Sequence, residues 1–347
     1  MKKSVKKVLI IISYSVILVS GLYFLQELVK PKYMSGILEG AMIAEYYEEE
    51  IEHDVIFIGD CELYENFSPI VLWEEYGISS YIRGSAQQLI WQSYYLMEET
   101  FHYEKPQVVV FNVLAMQYNE PQNEAYNRMT LDGMKFSVLK LKSIEVSMTN
   151  EESMVEYLFP ILRYHTRITE LGSEDFSYLF HKDKVTHNGY YMRADIRAAG
   201  EIPEGKPLGD YNFGDNAYQY LDMMVELCEK NGVELVLVKA PSLYPYWYEE
   251  WDEQMEDYAK VHGLKYYNFL EVTEEIGLDF SQDTYDGGLH LNLSGAEKMS
   301  RYFGKLLKED CNIESKRGDD YLEEIWEQKV ELYNLEKESQ YQQLSGE

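Results

Sequence analysis

Positive charge is scarce in this sequence. Across 347 residues, 31 lysines and arginines face 61 aspartates and glutamates, for a formal net charge of −30. A surface of that sign repels phosphate backbones, so nucleic acid is excluded as a partner, and broad adsorption to anionic lipid headgroups is disfavoured. Cysteine is also sparse. Cys61, Cys228 and Cys311 form no C-x-x-C pair, and an odd count leaves at least one thiol unpaired within the chain. Neither a zinc site nor a complete disulfide framework is expected. The seven histidines are scattered, none in an H-E-x-x-H pattern, and no metal or other cofactor is expected. Internal repeats and long low-complexity segments are lacking too. Tyrosine, by contrast, is abundant at 32 residues. That suits a carbohydrate-facing protein, because the ring stacks while the hydroxyl stays wet, and it suits a tyrosine-rich core equally. The length allows one large domain or two small ones.

One hydrophobic run stands apart. Four lysines lie within Met1-Lys2-Lys3-Ser4-Val5-Lys6-Lys7, and the chain then runs without a charge from Val8 to Leu25. Spanning a bilayer takes roughly 17–25 apolar residues. Cationic flanks stay on the cytoplasmic side, so everything after Leu25 is expected outside the cytoplasm. A cleaved signal peptide is the rival reading, but Gly21-Leu22-Tyr23-Phe24-Leu25 offers no A-x-A-like site. The expectation is a single-pass cell-membrane protein with an uncleaved anchor over residues 1–26.

Residues 27–53 read as a stalk that ends in an acidic run, Glu48-Glu49-Glu50. The domain is expected over 54–310. Its first strand candidate is Val55-Ile56-Phe57-Ile58, a continuous apolar run closed by Gly59-Asp60, which suits a buried parallel strand. Further strand candidates are 78–82, 108–111, 233–238 and 265–269. Helical patterns fall between them at 87–102, 217–230, 247–261 and 294–308. This alternation predicts an α/β fold, a doubly wound, flavodoxin-like parallel sheet that binds ligands at the carboxyl ends of its strands. The alternation breaks over about 117–215, too long for a plain connection, and a helical cap insertion is expected there. Within 311–347, Leu322, Ile325, Trp326, Val330 and Tyr333 recur at helical spacing, which predicts an amphipathic helix docked on this domain or on a partner.

Chemistry-bearing residues cluster where strands are expected to end. Gly59-Asp60-Cys61 follows the first strand, Arg83-Gly84-Ser85 the second, and Asn112 the third. Asp283-Thr284-Tyr285-Asp286-Gly287-Gly288-Leu289-His290-Leu291-Asn292 precedes the last helix of the domain. These blocks resemble the SGNH/GDSL hydrolase superfamily, whose first block is Gly-Asp-Ser after the first strand and whose last block pairs Asp with His. The chain looks most like the membrane-anchored members associated with lipoteichoic-acid D-alanylation and alginate-type O-acetylation. The resemblance covers roughly 54–307, without the insertion. It implies Cys61 as nucleophile in place of the family serine, His290 as general base, and Asp286 or Asp283 as the residue orienting the imidazole. It further implies an oxyanion hole from the backbone N–H groups of Cys61 and Gly84, with Asn112 as an added donor. Two departures stand out. The G-x-N-D block is absent, since the chain reads Phe111-Asn112-Val113-Leu114, and Asp286 precedes His290 by four residues instead of three.

A thiol with an ordinary pKa of about 8.5 becomes a good nucleophile once a histidine takes its proton. Its thioester suits moving an acyl group between hydroxyls as well as hydrolysis. A neighbouring imidazole is expected to lower the pKa of Cys61 and make it more reactive than Cys228 or Cys311. The implied function is an extracytoplasmic esterase or O-acyltransferase acting on an acylated glycan or wall polymer. A catalytically silent glycan-binding or scaffolding domain that supports an integral-membrane acyltransferase is the alternative. Around this core, Gln87 and Gln88 are candidates to line the substrate pocket. Tyr246 and Trp247, in Tyr244-Pro245-Tyr246-Trp247-Tyr248, form either a sugar-stacking platform or a packed helix start. Arg163 and His165, with Arg167, either hold an anionic group of a polymer or are ion-paired and solvated. Cys228, beside Leu221, Met224, Val225 and Leu227, is expected in the core.

Overall fold

Runs of β-branched and aromatic residues form five strands in the computed structural model, which describes residues 2–31, 41–181, 184–201 and 204–346. They are β1 (Val55–Gly59), β2 (Ser80–Gly84), β3 (Val108–Asn112), β4 (Glu234–Lys239) and β5 (Lys265–Asn268). All pair in parallel, in the order β2-β1-β3-β4-β5, with Gly59 opposite Gly84 and Ile58 opposite Phe111. A strand covered on both faces needs no polar alternation. Ile56, Ile58, Val109, Phe111, Leu235 and Leu237 enter one apolar layer; Val55, Phe57, Val108, Val110, Val236 and Val238 enter the other. The expected doubly wound, flavodoxin-like order is thus observed. It reverses at β1/β3, where such sheets place their ligand crevice.

The helices are α1 (Lys2–Val29), α2 (Ala41–Glu45), α3 (Cys61–Tyr64), α4 (Pro69–Tyr76) and α5 (Ile90–Tyr103), followed by α6 (Glu124–Leu131), α7 (Val138–Ser147), α8 (Met154–Leu158), α9 (Ile161–Tyr164) and α10 (Ser173–Tyr178). After a long irregular stretch come α11 (Asp215–Asn231), α12 (Glu249–His262), α13 (Thr273–Ile276), α14 (Leu293–Glu309) and α15 (Asp320–Ser345). Helices α5, α11 and α12 cover the first apolar layer, and α3, α4, α14 and α15 the second. Cys228 of α11 is buried in the first layer. Helix α1 is long and apolar enough to cross a membrane: Val5–Val29 has a mean hydropathy of 2.4, and its apolar window is entirely unburied.

Part of the expected stalk at 27–53 is not a stalk. Residues 32–40 lie outside the described residues, but Met42, Ile43 and Tyr46 are buried in the core. Their spacing places them on one helical face, which the neighbouring acidic run masks in composition. Arg83, buried at the end of β2, lies 4.1 Å above the Tyr46 ring and pairs with Glu99 at 2.7 Å. Helix α15 docks on its own domain. Trp326 stacks on Trp73 of α4, with ring centroids 5.0 Å apart and planes within 10°.

Between α10 and α11, residues 187–199 run as a strap across the second layer. Asn188 covers the free edge of β2: its carbonyl accepts from Ile82 N (3.0 Å) and its side-chain amide donates to Ser80 O (3.1 Å). The strap then donates from Tyr191 N to Tyr64 O (2.8 Å) and from Arg197 N to Thr284 O (2.9 Å). Its Arg193 carbonyl accepts from Leu293 N (2.7 Å). It therefore ties the element that starts at Cys61 to the loop that carries His290.

Candidate active site

Cys61 opens α3 directly after β1, at the sheet's switch point. Asp60 caps this short helix, its carboxylate accepting from Glu62 N at 3.2 Å. Beneath it lies a fully buried polar cluster. Lys239, near the end of β4, donates to both carboxylate oxygens of Glu62 at 2.9 Å and to Ala240 O at 2.8 Å. Asn112 donates to Asp60 Oδ1 and Glu62 Oε2, each at 2.9 Å, and its Oδ1 accepts from Ala240 N at 3.3 Å. Burial and the Glu62 carboxylate push the Asp60 pKa up to about 7. This cluster corrects the expectation for Asn112. Its amide is committed to two carboxylates and is not aimed at a substrate oxyanion.

His290 arrives from a tight loop. Gly287 and Gly288 adopt positive φ values of 88° and 106°, and Thr284 Oγ1 accepts from Gly288 N at 2.8 Å. The turn brings Asp286 back onto His290. Asp286 Oδ1 accepts from the His290 backbone N–H at 2.9 Å, and Oδ2 lies 2.7 Å from Nδ1. Asn66 holds the next residue by accepting from Leu291 N at 2.8 Å. Nε2 of His290 is buried, and no well-aligned hydrogen bond reaches it among the described residues. Cys61 and His290 are nonetheless close enough for each to shift the titration of the other. A side-chain hydrogen bond between them is among the causes of both shifts, though it is not well aligned, a looseness common in catalytic pairs without substrate.

Asp283, the other candidate orienting acid, is fully buried on the far side of the loop. It accepts from Ser294 Oγ (2.8 Å), Lys298 Nζ (2.6 Å) and Asp279 N (2.8 Å), so it fastens the start of α14 and does not face His290. A carboxylate not anticipated from the sequence stands there instead. Glu65, one helical turn beyond Cys61, places Oε2 3.4 Å from His290 Nδ1 and accepts from Tyr285 Oη. The guanidinium of Arg193 on the strap lies 4.7 Å from the Tyr285 ring centroid. The available signal was the spacing of four residues between Cys61 and Glu65, which puts both on one face of a helix.

The electrostatics follow from this crowding. Burial opposes charge on His290, but Glu65, Cys61 and Asp286 outweigh it and hold its pKa well above the ordinary value. Asp286 is partly desolvated, yet its bonds to His290 keep its pKa low. Cys61 is only half-buried by exposed area, but the protein packed around its sulfur desolvates the thiolate. That effect exceeds the lowering by His290, so the thiol pKa is raised. This reverses the expected depression. Burial also raises Cys228, to about 12, and Cys311, to about 11.

Gly84 sits against the nucleophile loop. A Cβ there would meet Gly59 O and the Tyr64 ring at 3.1 Å. Gln87 is part-exposed in the left-handed region at φ 51°, but Gln88 is fully buried, bonded to Ser85 and Ser93, and lines no pocket. Arg163, His165 and Arg167 are not at this site. Arg163 pairs with Glu124 at 3.1 Å, His165 bonds Leu162 O at 2.9 Å, and Arg167 reaches the end of α1. The aromatic segment divides. Trp247 is buried, donating to Asp252 Oδ1 at 3.0 Å, because the start of α12 packs there. Tyr246 is exposed and joins Phe213, Pro245, Tyr248 and Trp251 around a groove of about 410 Å³. The chain leading into that groove is pinned to the histidine loop, with Leu243 N donating to Gly288 O (2.8 Å) and Tyr244 Oη to Asp286 O (2.9 Å).

No family model and no curated protein matches this sequence. Among solved structures, the chain is similar to a protein from Desulfitobacterium hafniense DCB-2 described as lipolytic and of the G-D-S-L family. Identity is 16%, the match covers 73% of this chain and 98% of the other, and the TM-score is 0.36. It is also similar to a protein described as an acylhydrolase from Bacteroides fragilis NCTC 9343, at 11% identity, 81% and 100% coverage, and TM-score 0.38. A GDSL-like lipase from Bacteroides thetaiotaomicron VPI-5482 is similar at 12% identity, 74% and 88% coverage, and TM-score 0.33.

Proposed function

We propose that this chain is a membrane-anchored, SGNH-like acyl hydrolase or O-acyltransferase that works outside the cytoplasm on an acylated glycan or wall polymer. One observation carries the reading: His290 is oriented by Asp286 at 2.7 Å through Nδ1, while the Cys61 thiol lies close enough to the imidazole for each group to shift the titration of the other. That is the polarity a nucleophile–histidine–acid triad needs. Cys61 Sγ attacks the ester carbonyl carbon as Nε2 takes the thiol proton. The tetrahedral oxyanion forms against the backbone N–H groups of Cys61 and Gly84. Collapse breaks the C–O bond, and the imidazolium returns its proton to the departing alkoxide, leaving a thioester. Water or a second hydroxyl then attacks that thioester, giving its proton to Nε2, and the thiol is regenerated. Because Glu65, Cys61 and Asp286 hold the imidazole pKa up, the attack by Cys61 runs at pH values above it, where Nε2 is free to take the thiol proton.

The aromatic groove supports a glycan as the group presented to this centre, since sugar rings stack on aromatic faces and it adjoins the histidine loop. Helix α1, with its lysine-rich start, supports a cytoplasmic N-terminus and an external domain. The test is the intact mass of the purified chain after exposure to an activated acyl ester. An acyl adduct is expected on Cys61, absent from Cys61→Ala and formed about a hundredfold more slowly by folded His290→Ala. The raised thiol pKa favours the second reading, a silent scaffold for a membrane acyltransferase. Absence of any adduct on Cys61 would select it.

A further inference from the structure

The junction between α1 and the domain is built, not merely linked. Val29 is buried against the domain, and Arg167 Nη1 donates to the last carbonyl of α1, Val29 O at 2.9 Å, and to the one just past it, Lys30 O at 2.6 Å. Arg167 Nη2 is held in turn by the buried Asp175 at 3.2 Å. The capping arginine belongs to the turn His165–Thr169, which with α9 and α10 packs directly on α1. The height of these elements relative to the bilayer is therefore set by α1.

That height can be derived. The 25 residues Val5–Val29 rise about 38 Å as a helix, against about 30 Å of hydrocarbon. The excess places Leu25–Val29 in the headgroup layer, and the segment bound to Val29 lies there with it. This same segment is unusually apolar on its surface. Among the described residues, 41–154 expose three large apolar side chains, Tyr103, Phe136 and Val138, whereas the much shorter 155–180 expose six: Val155, Phe159, Leu162, Ile168, Phe176 and Phe180. Phe180 is 86% exposed.

We propose that α8–α10 and the turns around them form an apolar collar that inserts into the outer headgroup–acyl boundary of the membrane that α1 crosses. Amphipathic segments bury an apolar face roughly 5–10 Å into that boundary. The collar holds the domain against the lipid surface, so the domain does not swing on a tether. The occupant is lipid because the face is continuous with the transmembrane helix and is a spread of protruding side chains, not a groove. The collar rests on α1 spanning the bilayer, and the test separates the two.

The full-length chain is reconstituted in phosphatidylcholine vesicles containing bromine-labelled lipid, with a tryptophan placed at Phe180 or, as a control, at the exposed Val261 of α12. The added emission of Phe180→Trp is expected to be lost to bromines near the interface, while that of Val261→Trp is retained. The loss is expected to be the same in neutral and anionic vesicles, since the contact is apolar. Retention of the chain through an alkaline wash with Phe180→Trp unquenched would overturn the collar alone. Release by that wash would overturn both collar and anchor. Quenching only with cationic lipid, or only with a second membrane protein present, would replace insertion by adsorption or by a protein partner.

Discussion

Two carboxylates face one imidazole at the candidate site, and they act differently. Asp286 bonds the ring and fixes which nitrogen is turned to Cys61. Glu65 stands at 3.4 Å, shares its charge with Tyr285 and, after burial, contributes most to the pKa of His290. The sign of its effect is definite. A nearby carboxylate favours the imidazolium, so it raises the pH above which Nε2 is free to accept a proton. It also raises the pKa of Cys61. Replacing Glu65 by Gln should therefore move the midpoint of the pH–labelling curve of Cys61 with an acyl ester to lower pH. A midpoint that stays in place or rises would show that Glu65 only supports the fold.

At the scale of elements, the site depends on pieces far from it in sequence. Helix α15 carries Trp326 onto Trp73, and Gln340 then takes both ends of a hydrogen-bonded step on the strap. Its Nε2 donates to Met192 O at 3.1 Å, and its Oε1 accepts from Ala194 N at 2.8 Å. The strap in turn binds Tyr64 and the histidine loop. Trp326 is fully buried, so Trp326→Ala should cost about 3–5 kcal/mol in denaturant unfolding of the solubilised chain, as for a large core truncation. A loss under about 1 kcal/mol, the scale of a surface change, would mean that α15 lies on the domain without stabilising it.

For the molecule as a whole, the shortage of cations has a structural answer. Tyrosine hydroxyls serve carboxylates where Lys or Arg would otherwise stand: Tyr46 on Glu104 at 2.6 Å, Tyr258 on Asp222 at 2.7 Å, and Tyr267 on Asp310 at 2.7 Å. Each pair satisfies an acceptor without adding positive charge, which keeps the surface strongly acidic. That charge and the lysine-rich start of α1 bear on orientation. Protease added to intact cells is expected to degrade the domain of a chain that was full-length and membrane-bound beforehand. A soluble form beginning after residue 25 would show that α1 is removed as a signal sequence.

The centre of the sheet was legible in the sequence because β1, β3 and β4 are each a local apolar run, ended by glycine or a polar residue at the ligand end. The proximity of Cys61 and His290 was legible for a related reason: both follow elements whose ends converge on one edge of such a sheet. The choice between Asp286 and Asp283 was not. Residue order does not say which side of a loop a carboxylate faces, and the positive-φ turn at Gly287-Gly288 decides it. Nor could the sequence show Tyr285 meeting Glu65 across 220 positions, or Asn112 spent on buried carboxylates. The thiol's raised pKa belongs to the same class. A composition contains the groups that titrate, but desolvation and charge at a given sulfur exist only once the chain has packed around it.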